Sequence, residues 1–207
     1  MSEITHWDGP PLEAWAGAWT PQEAGLALAG LDVPWCVVGG WAIDLFLGRV
    51  TRKHEDLEIA VPRMFFPAIR SHLERRYALH VVGDGEVRRM KAGGTLPPEK
   101  HQCWVLDEAA NQWRVDVMSE PGDAQTWIAR RDQRITAPRA LIIKQSRDGI
   151  PYLAPEAALL FKAKAARPKD EADLANALPL LSRDSRVWLR DALTIAHPDH
   201  AWLKHLL

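Results

Sequence analysis

A Gly-Gly pair followed at fixed spacing by two carboxylates constrains this chain more than any other feature. Gly39 and Gly40 follow the apolar run 35–38, and Asp56 and Glu58 lie sixteen and eighteen residues after the second glycine. The residues around the two acids favour a strand, on which side chains two residues apart point to one face, roughly 6.6 Å apart. Two anions on one face repel each other unless a cation lies between them. The spacing therefore predicts a cation site, and Mg²⁺ suits it because Mg²⁺ binds carboxylates together with substrate phosphates.

The glycines predict a phosphate-binding turn. The apolar sequence 42–47 that follows them indicates a helix, so Gly40 lies at the helix N-terminus. A helix N-terminus without bulky side chains offers free N–H groups and a positive dipole end to an anion. A phosphate site together with metal-binding carboxylates indicates nucleotide chemistry. The alternative for the two acids is a half-buried strand whose polar face is solvated.

A third acid, Asp116, completes the predicted site. Phosphoryl and nucleotidyl transfer often use two metal ions roughly 3.5–4 Å apart, which calls for a further carboxylate. In the run 113–118 the apolar residues alternate with Asp116, so this acid faces away from the predicted core. A carboxylate in the middle of such a strand costs free energy unless it has a partner. The alternative is an ion pair between Asp116 and Arg114 or another arginine.

Three basic side chains are candidates for contacts with a nucleotide. Arg52 and His54 flank the first two acids. We expect Arg52 to contact phosphates and His54 to hydrogen-bond a phosphate or a metal-bound carboxylate; the alternative is a solvated basic loop. Lys162 lies in an apolar helical segment, and we expect it to contact the triphosphate, with Lys169 as the substitute.

Other acids near these positions have a structural interpretation. Asp44 lies inside the helix after the glycines, where we expect it to cap or to pair with Arg49 or Arg52. Asp170 and Asp173 follow a proline in the first turn of a helix, where the helix dipole favours acids.

Hydrophobic periodicity and turn residues predict a mixed α/β part followed by a mainly helical part. The division consists of an extended lead-in over 1–20, the α/β part over 21–135 and the helical part over 136–207. The predicted helices are 20–31, 40–47, 65–76, 123–131, 155–166, 169–178, 182–196 and 199–206. The predicted strands are 35–38, 56–61, 77–82, 87–92, 102–106 and 113–118, with one or two more in 135–143.

Composition limits the classes of function. A net charge of −1, from 26 basic and 27 acidic residues, argues against a nucleic-acid partner but does not exclude a local basic groove. Cys36 and Cys103 lack metal-ligand spacing and predict buried thiols in a reducing compartment. No signal-peptide pattern and no run of about 18 apolar residues is present, so we expect a cytoplasmic protein without a membrane partner.

These motifs resemble the nucleotidyltransferase superfamily of the DNA polymerase beta type. That superfamily carries a Gly-Gly or Gly-Ser pair, an Asp-x-Asp or Asp-x-Glu pair and a distant Asp. The matching residues here are Gly39, Gly40, Asp56, Glu58 and Asp116.

The segment 39–60 resembles more closely the aminoglycoside 2''-adenylyltransferases, in its Trp-Ala-Ile-Asp motif and in the run from Leu47 to His54. A weaker similarity covers 162–173. Two departures are Glu58, where close relatives have Asp, and the sequence after residue 62, which includes the insert 88–100.

The resemblance implies an α/β (α+β) fold, with a small mixed β-sheet in a nucleotidyltransferase domain over 21–135 and a helical C-terminal domain over 136–207. It implies Mg²⁺-dependent transfer of a nucleoside monophosphate, with ATP as the first-choice donor, to a hydroxyl of a small molecule. An amino sugar is the leading acceptor, and antibiotic resistance is the implied role.

The resemblance also implies roles for the motif residues. Asp56 and Glu58 would hold the metals, and Gly39 and Gly40 the triphosphate. Asp116 would complete the metal site or take the proton of the acceptor hydroxyl.

Two alternatives accompany this interpretation. The same chemistry would serve an RNA or protein acceptor, as in toxin-type relatives, and a non-catalytic nucleotide-binding module is the second alternative. Neither the preferred base nor the oligomeric state follows from the sequence.

Overall fold

A computed structural model describes residues 9–13 and 15–206; the predicted lead-in over 1–8 lies outside the described residues. The α-helices are α1 Pro21–Ala27, α2 Gly39–Leu47, α3 Phe66–Leu73, α4 Arg139–Ile142, α5 Pro155–Ala163, α6 Pro168–Ala177 and α7 Arg183–Ala196. The strands are β1 Cys36–Val37, β2 Glu58–Pro62, β3 Ala78–Gly83, β4 Glu86–Arg89, β5 Gln102–Asp107, β6 Gln112–Glu120, β7 Thr126–Ile128, β8 Thr136–Pro138, β9 Ile143–Gln145 and β10 Pro151–Leu153. Short 3₁₀ turns cover Arg63–Phe65, Leu178–Leu180 and Ala201–His205.

Local sequence signals explain where several helices begin and end. The backbone N–H of Glu23 donates to Thr20 Oγ1 at 3.3 Å, and the backbone N–H of Thr20 donates to the Glu23 carboxylate at 2.8 Å. This reciprocal pair satisfies two N–H groups at the start of α1. Helix α2 ends at Gly48, whose φ of 66° is left-handed and costs a glycine little. Prolines open α5 and α6, where the missing N–H is not needed.

One compact unit combines the described residues up to Trp35 with His54–Asp123. Its strands follow the order β4-β3-β5-β6-β2. Strand β2 is parallel to β6, and the other neighbours are antiparallel. Part of its core forms around the fully buried Trp113, with Ala78 and Leu106, and Trp15 and Trp104 pack against this cluster.

The second compact unit combines Cys36–Lys53 with the described residues from Ala124 onward. Strand β10 is parallel to β1 and antiparallel to β9, and β7 forms an antiparallel pair with β8. Helix α2 packs against α5 and α6, and α5 packs against α7. Large buried side chains of this unit include Ile43, Leu159, Leu189 and Leu193.

The predicted mixed α/β architecture with a small mixed sheet is confirmed, and residues 155–205 are mainly helical. The compact units are discontinuous in sequence, because 36–53 groups with the C-terminal residues. The linear division at 1–20, 21–135 and 136–207 stays a prediction. No helix in residues 9–13 and 15–206 is long and apolar enough to cross a membrane.

Three predicted elements were wrong. The helix predicted over 123–131 is replaced by strand β7, because the β-prone residues Thr126–Ile128 pair antiparallel with β8, the next strand along the chain. The strand predicted from Asp56 begins at Glu58, so Asp56 lies on the approach to β2. The helix predicted over 199–206 is a 3₁₀ turn, Ala201–His205.

Candidate active site

The three predicted carboxylates come together in the first unit, where Glu58 and Asp116 lie on the neighbouring parallel strands β2 and β6 and Asp56 lies on the approach to β2. Glu58 is the register partner of Asp116 across β2 and β6. The backbone N–H of Asp116 donates to the Leu57 carbonyl at 2.9 Å, which fixes this register. Asp56 precedes Glu58 by two residues, and the charges of both acids raise the pKa of Asp116. Three side chains from two distant parts of the sequence therefore lie within electrostatic reach of each other.

Asp116 is the buried member of the cluster, with an exposed fraction of 4%. Burial first, and the Glu58 carboxylate second, raise its pKa to about 8, because both disfavour the charged form. The Gln102 amide Nε2 donates to Asp116 Oδ2 at 2.8 Å. Asp116 Oδ1 is buried and accepts no hydrogen bond from the described residues. The Trp104 indole is near enough to lower this pKa but makes no hydrogen bond of normal geometry within the same residues.

The alternative partner for Asp116 is not observed. Arg114 Nη2 instead donates to the Asp107 carboxylate at 2.9 Å, and its Nη1 donates to the Gly17 carbonyl at 2.8 Å. Arg114 therefore ties β6 to the N-terminal segment. The Asp116 carboxylate therefore forms no ion pair with Arg114, and a cation would still stabilise its charged form.

Aromatic side chains continue the row of residues beside the acids. Across the strands, His80 pairs with Trp104, Trp104 with Asp116, and Asp116 with Glu58. Burial and the charge of Arg89 lower the pKa of His80 to about 4, so its imidazole is neutral at pH 7. His80 therefore adds no positive charge to the row.

The donor set fits a hard divalent cation. Carboxylate oxygens are the ligands that Mg²⁺ prefers, and the buried Oδ1 of Asp116 is available to such an ion. In residues 9–13 and 15–206, no group of three or more His, Cys, Asp and Glu side chains is arranged to hold a metal ion. The chemistry of Asp56, Glu58 and Asp116 thus fits Mg²⁺, although their side chains do not form a closed metal centre.

The Gly-Gly turn lies in the second unit at the start of α2, as predicted. Gly39 has a left-handed φ of 67° and is the first helical residue, after Val38. Among the residues that the structure describes, no side chain caps this N-terminus, which leaves its first N–H groups for another acceptor. Asp44, buried inside α2, accepts from the Thr51 backbone N–H at 3.1 Å and from Thr51 Oγ1 at 2.5 Å. The expected pairing of Asp44 with Arg49 or Arg52 is replaced by these bonds, which hold the end of the α2 loop.

A buried ion network in the second unit contains two of the predicted nucleotide contacts. Lys162 Nζ lies 2.8 Å from Asp173 Oδ2 and 3.4 Å from Asp170 Oδ1. Arg52 Nη2 lies 3.3 Å from the same Asp173 oxygen, and Arg167 Nε lies 2.9 Å from Asp170 Oδ2. Asp170 and Asp173 are almost fully buried. Asp170 Oδ2 also accepts from the backbone N–H of Arg167 at 3.0 Å, so this acid both caps the start of α6, as expected for its first turn, and pairs with cations.

Sequence reasoning missed the partners of the charged residues. Gln102 carries no charge and lies fourteen residues from Asp116, so no local pattern marks it. Asp173 is 121 residues from Arg52. The available signal was the close spacing of Asp170 and Asp173 behind a lysine in an apolar helix. His54 lies half-buried on the approach to β2, and its predicted role stays a prediction.

The comparison with known families decides the assignment. The sequence model of the aminoglycoside-2''-adenylyltransferase family matches residues 25–176, a range that contains the three acids, the glycines and Lys162. The chain belongs to the aminoglycoside-2''-adenylyltransferase family. The fold class and the resemblance inferred from the motifs are thereby confirmed.

Similar curated proteins agree with the family. Two 2''-aminoglycoside nucleotidyltransferases, from Escherichia coli and Klebsiella pneumoniae, are each 55% identical to this chain over 120 residues. The matches cover 54% of this chain and 62% of each relative. The chain thus spans less than two thirds of the length of these members of the aminoglycoside-2''-adenylyltransferase family.

Solved structures of similar proteins share the fold. A solution structure of the antibiotic-resistance factor ANT(2'')-Ia has a TM-score of 0.54 at 21% identity, and covers 89% of this chain and 92% of that chain. A crystal structure of ANT(2'')-Ia in complex with adenylyl-2''-tobramycin has a TM-score of 0.54 at 19% identity, with 82% and 92% covered. Lincomycin-bound LnuA, a lincosamide antibiotic adenylyltransferase, has a TM-score of 0.53 at 17% identity, with 78% and 96% covered. At these identities the likeness shows the fold alone.

Proposed function

We propose that this protein transfers a nucleoside monophosphate, AMP from ATP as the first choice, to a hydroxyl group of an aminoglycoside. The observation that supports this most is the meeting of Asp56, Glu58 and Asp116 in a chain of the aminoglycoside-2''-adenylyltransferase family. A cluster of like charges with a strongly raised pKa is typical of functional sites.

The acids have one shared task in this proposal. Asp56, Glu58 and Asp116 would hold Mg²⁺, since the Asp116 oxygen without a hydrogen bond suits a cation. Bound Mg²⁺ would neutralise charge on the triphosphate and on the leaving pyrophosphate. We assign Asp116 to the cation site. If Asp116 instead takes the proton of the acceptor hydroxyl, the Asp116→Asn variant should bind the cation as tightly as the wild type.

The remaining residues bind the donor. The uncapped N–H groups at Gly39 and Gly40 would donate hydrogen bonds to phosphate oxygens. Arg52 is a better candidate for a phosphate contact than Lys162, because 24% of its side chain is exposed, compared with 8% for Lys162. Lys162 would act mainly as the counter-ion of Asp170 and Asp173.

The reaction requires few covalent steps. The acceptor oxygen forms a bond to the α-phosphorus, the bond from the α-phosphorus to the bridging oxygen breaks, and pyrophosphate leaves. The hydroxyl proton passes to a base or to solvent. The protein contributes position and charge, which is the main source of catalysis in this class of reaction.

The relatives suggest the acceptor. The curated relatives are 2''-aminoglycoside nucleotidyltransferases, and one fold neighbour was solved with adenylyl-2''-tobramycin. We therefore propose the 2''-hydroxyl of an aminoglycoside such as tobramycin as the acceptor. Lincomycin, bound to another fold neighbour, is the matched competing acceptor.

The test measures product and pyrophosphate. Purified protein is incubated with Mg²⁺, each of the four nucleoside triphosphates, and either tobramycin or lincomycin. We expect pyrophosphate release and a tobramycin product heavier by one AMP in mass spectrometry, with ATP preferred.

Three variants tie the product to the site. Asp56→Asn, Glu58→Gln and Asp116→Asn should abolish the product, while Asp148→Asn, an exposed acid of the second unit, should not. A product on lincomycin alone would contradict the acceptor, and no pyrophosphate with either acceptor would contradict the transferase proposal.

A further inference from the structure

The orientation of the Asp116 carboxylate depends on a single side-chain hydrogen bond of normal geometry. Gln102 Nε2 donates to Oδ2 at 2.8 Å, and Oδ1 is buried without a hydrogen bond from the described residues. Oδ2 is thus held in place by Gln102, and Oδ1 stays available to a further partner. A carboxylate without the anchor would be free to rotate about its last bond.

Gln102 is itself held in place by the sheet and by the loop before it. It is the first residue of β5, paired with Val82 on one side and with Met118 on the other. The carbonyl of the preceding residue, His101, accepts from the Ser119 N–H at 2.7 Å. The side chain therefore projects from a backbone that is bonded on both sides.

Arg63 fixes the loop that leads into Gln102. Its guanidinium donates to the carbonyls of Lys100, at 2.9 Å, of Leu96, at 3.1 Å, and of Pro97. These bonds hold the last residues of the insert 88–100, the segment in which this sequence departs from the family motif. The insert thus helps to fix the residue at which β5 begins.

The chemistry of an amide suits this position. A lysine or arginine next to Asp116 would supply a permanent cation and compete with a metal ion. A glutamate would add a fourth negative charge to the cluster. An uncharged donor orients one carboxylate oxygen and adds no charge that would compete with a metal ion.

We propose that Gln102 is a positioning residue that anchors Oδ2 of Asp116 and keeps Oδ1 directed for a divalent cation. This inference rests on the proposed function. It goes further by naming a residue outside the three acids on which the site depends.

The test replaces the amide while it keeps the length of the side chain. Gln102→Met removes the donor, and Gln145→Met, at an exposed strand position of the second unit, is the matched control. Affinity for Mn²⁺ is measured by electron paramagnetic resonance on protein without nucleotide, together with kcat and KM. In Gln102→Met we expect about tenfold weaker Mn²⁺ binding and an about tenfold lower kcat, as is typical when a residue that holds a metal ligand in place is lost. We expect the KM for the nucleotide and all values of Gln145→Met to stay close to those of the wild type.

Each other outcome is informative. If the Mn²⁺ affinity and kcat of Gln102→Met stay within about twofold of the wild type, the inference is overturned. Loss of a residue that holds a metal ligand in place usually lowers metal affinity or activity by more than about twofold. If the methionine variant does not fold, Gln102→Asn, which keeps the amide but is too short to reach Asp116, decides by the same criteria. Failure of the wild type to bind Mn²⁺ or to release pyrophosphate would overturn the proposed function, and the inference with it.

Discussion

Asp116 in the first unit and Asp170 in the second are both buried carboxylates, yet their pKa values shift in opposite directions. Burial raises the pKa of each. For Asp116 the nearby charges of Glu58 and Asp56 add to the effect of burial, and the pKa reaches about 8. For Asp170 the hydrogen bonds from Arg167 and the charge of Lys162 outweigh burial, so the pKa falls below its usual value. The two pKa shifts therefore have opposite signs, because anions lie near Asp116 whereas cations and N–H donors surround Asp170.

The two regions differ in the source of the charges around their buried acids. In the network around Asp170 and Asp173, the cations belong to the chain itself, namely Arg52, Lys162 and Arg167. In the acid cluster, the charges that shift the pKa of Asp116 are negative, and a cation from solution would relieve their repulsion. Clusters of like charges are unfavourable for the folded state, and proteins contain them mainly at functional sites.

The first prediction concerns activity. Asp116→Asn should lower kcat/KM for nucleotide transfer by about 10⁴-fold, on the order of 5 kcal/mol, because the cation site loses a ligand. The folded state should not suffer at pH 7, because the raised pKa already keeps Asp116 neutral there and the amide is neutral too. The measurement is steady-state pyrophosphate release, with Asp148→Asn as the control. A loss of less than about tenfold would place Asp116 outside the site.

The second prediction concerns stability in the other region. Asp173→Asn should lower the free energy of unfolding by about 3–4 kcal/mol, because it leaves Lys162 buried with a single anionic partner and Arg52 with none of its present ion pairs. Urea unfolding, monitored by tryptophan fluorescence, gives the value. The same experiment on Asp116→Asn should show no loss. If Asp173→Asn and Asp116→Asn are equally destabilised, the proposed difference in stability between the two regions is contradicted.

The third prediction uses the opposite pKa shifts. The folded-state pKa of Asp116 is raised, so its contribution to stability is fully present below its unfolded value of 3.8 and is lost as the pH rises towards about 8. Without divalent cations, the wild type should therefore lose roughly 3–4 kcal/mol relative to Asp116→Asn between pH 5 and pH 8. Asp170 has a lowered pKa, so its stabilisation is present above its unfolded value and is lost as the pH falls.

The pH experiment compares unfolding curves of the two proteins in EDTA. A stability difference that does not change between pH 5 and pH 8 would contradict the raised pKa of Asp116. Addition of Mg²⁺ should remove most of the difference at pH 8, because the cation stabilises the charged carboxylate.

The fourth prediction, with the smallest expected change in stability, compares an exposed cation of the ion network with a buried one. Arg167 is 57% exposed, whereas Lys162 is 8% exposed. Arg167→Met should change the free energy of unfolding by less than about 1 kcal/mol, because exposed ion pairs contribute little. Lys162→Met should cost more, since it leaves two buried carboxylates without this cation. Similar costs for both variants would show that burial does not decide the strength of these pairs.

Sequence alone predicted the features that depend on neighbours in the chain. The capping pair at Thr20 and Glu23, the helix that begins at the Gly-Gly turn and the alternation around Asp116 all follow from local spacing. The meeting of Glu58 with Asp116 was also predictable, because two acids in strand-like runs match a known superfamily pattern.

The rest required the tertiary structure. Gln102 and Asp173 find their partners across 14 and 121 residues, and no periodicity encodes such contacts. The helix predicted over 123–131 is a strand because pairing with β8 overrides local preference. Lys162 was predicted to contact a nucleotide from its position in an apolar helix, but the same position follows from its buried pairs with Asp170 and Asp173.

The most direct test of the central claim is a calorimetric titration of the nucleotide-free protein with Mg²⁺ at pH 7, in two buffers of different ionisation enthalpy. If Asp56, Glu58 and Asp116 share a cation, binding should release a proton, because Asp116 is protonated at this pH without the cation. Asp116→Asn should bind Mg²⁺ at least about tenfold more weakly and release no proton. Equal Mg²⁺ affinity and equal proton release in the wild type and in Asp116→Asn would contradict the account.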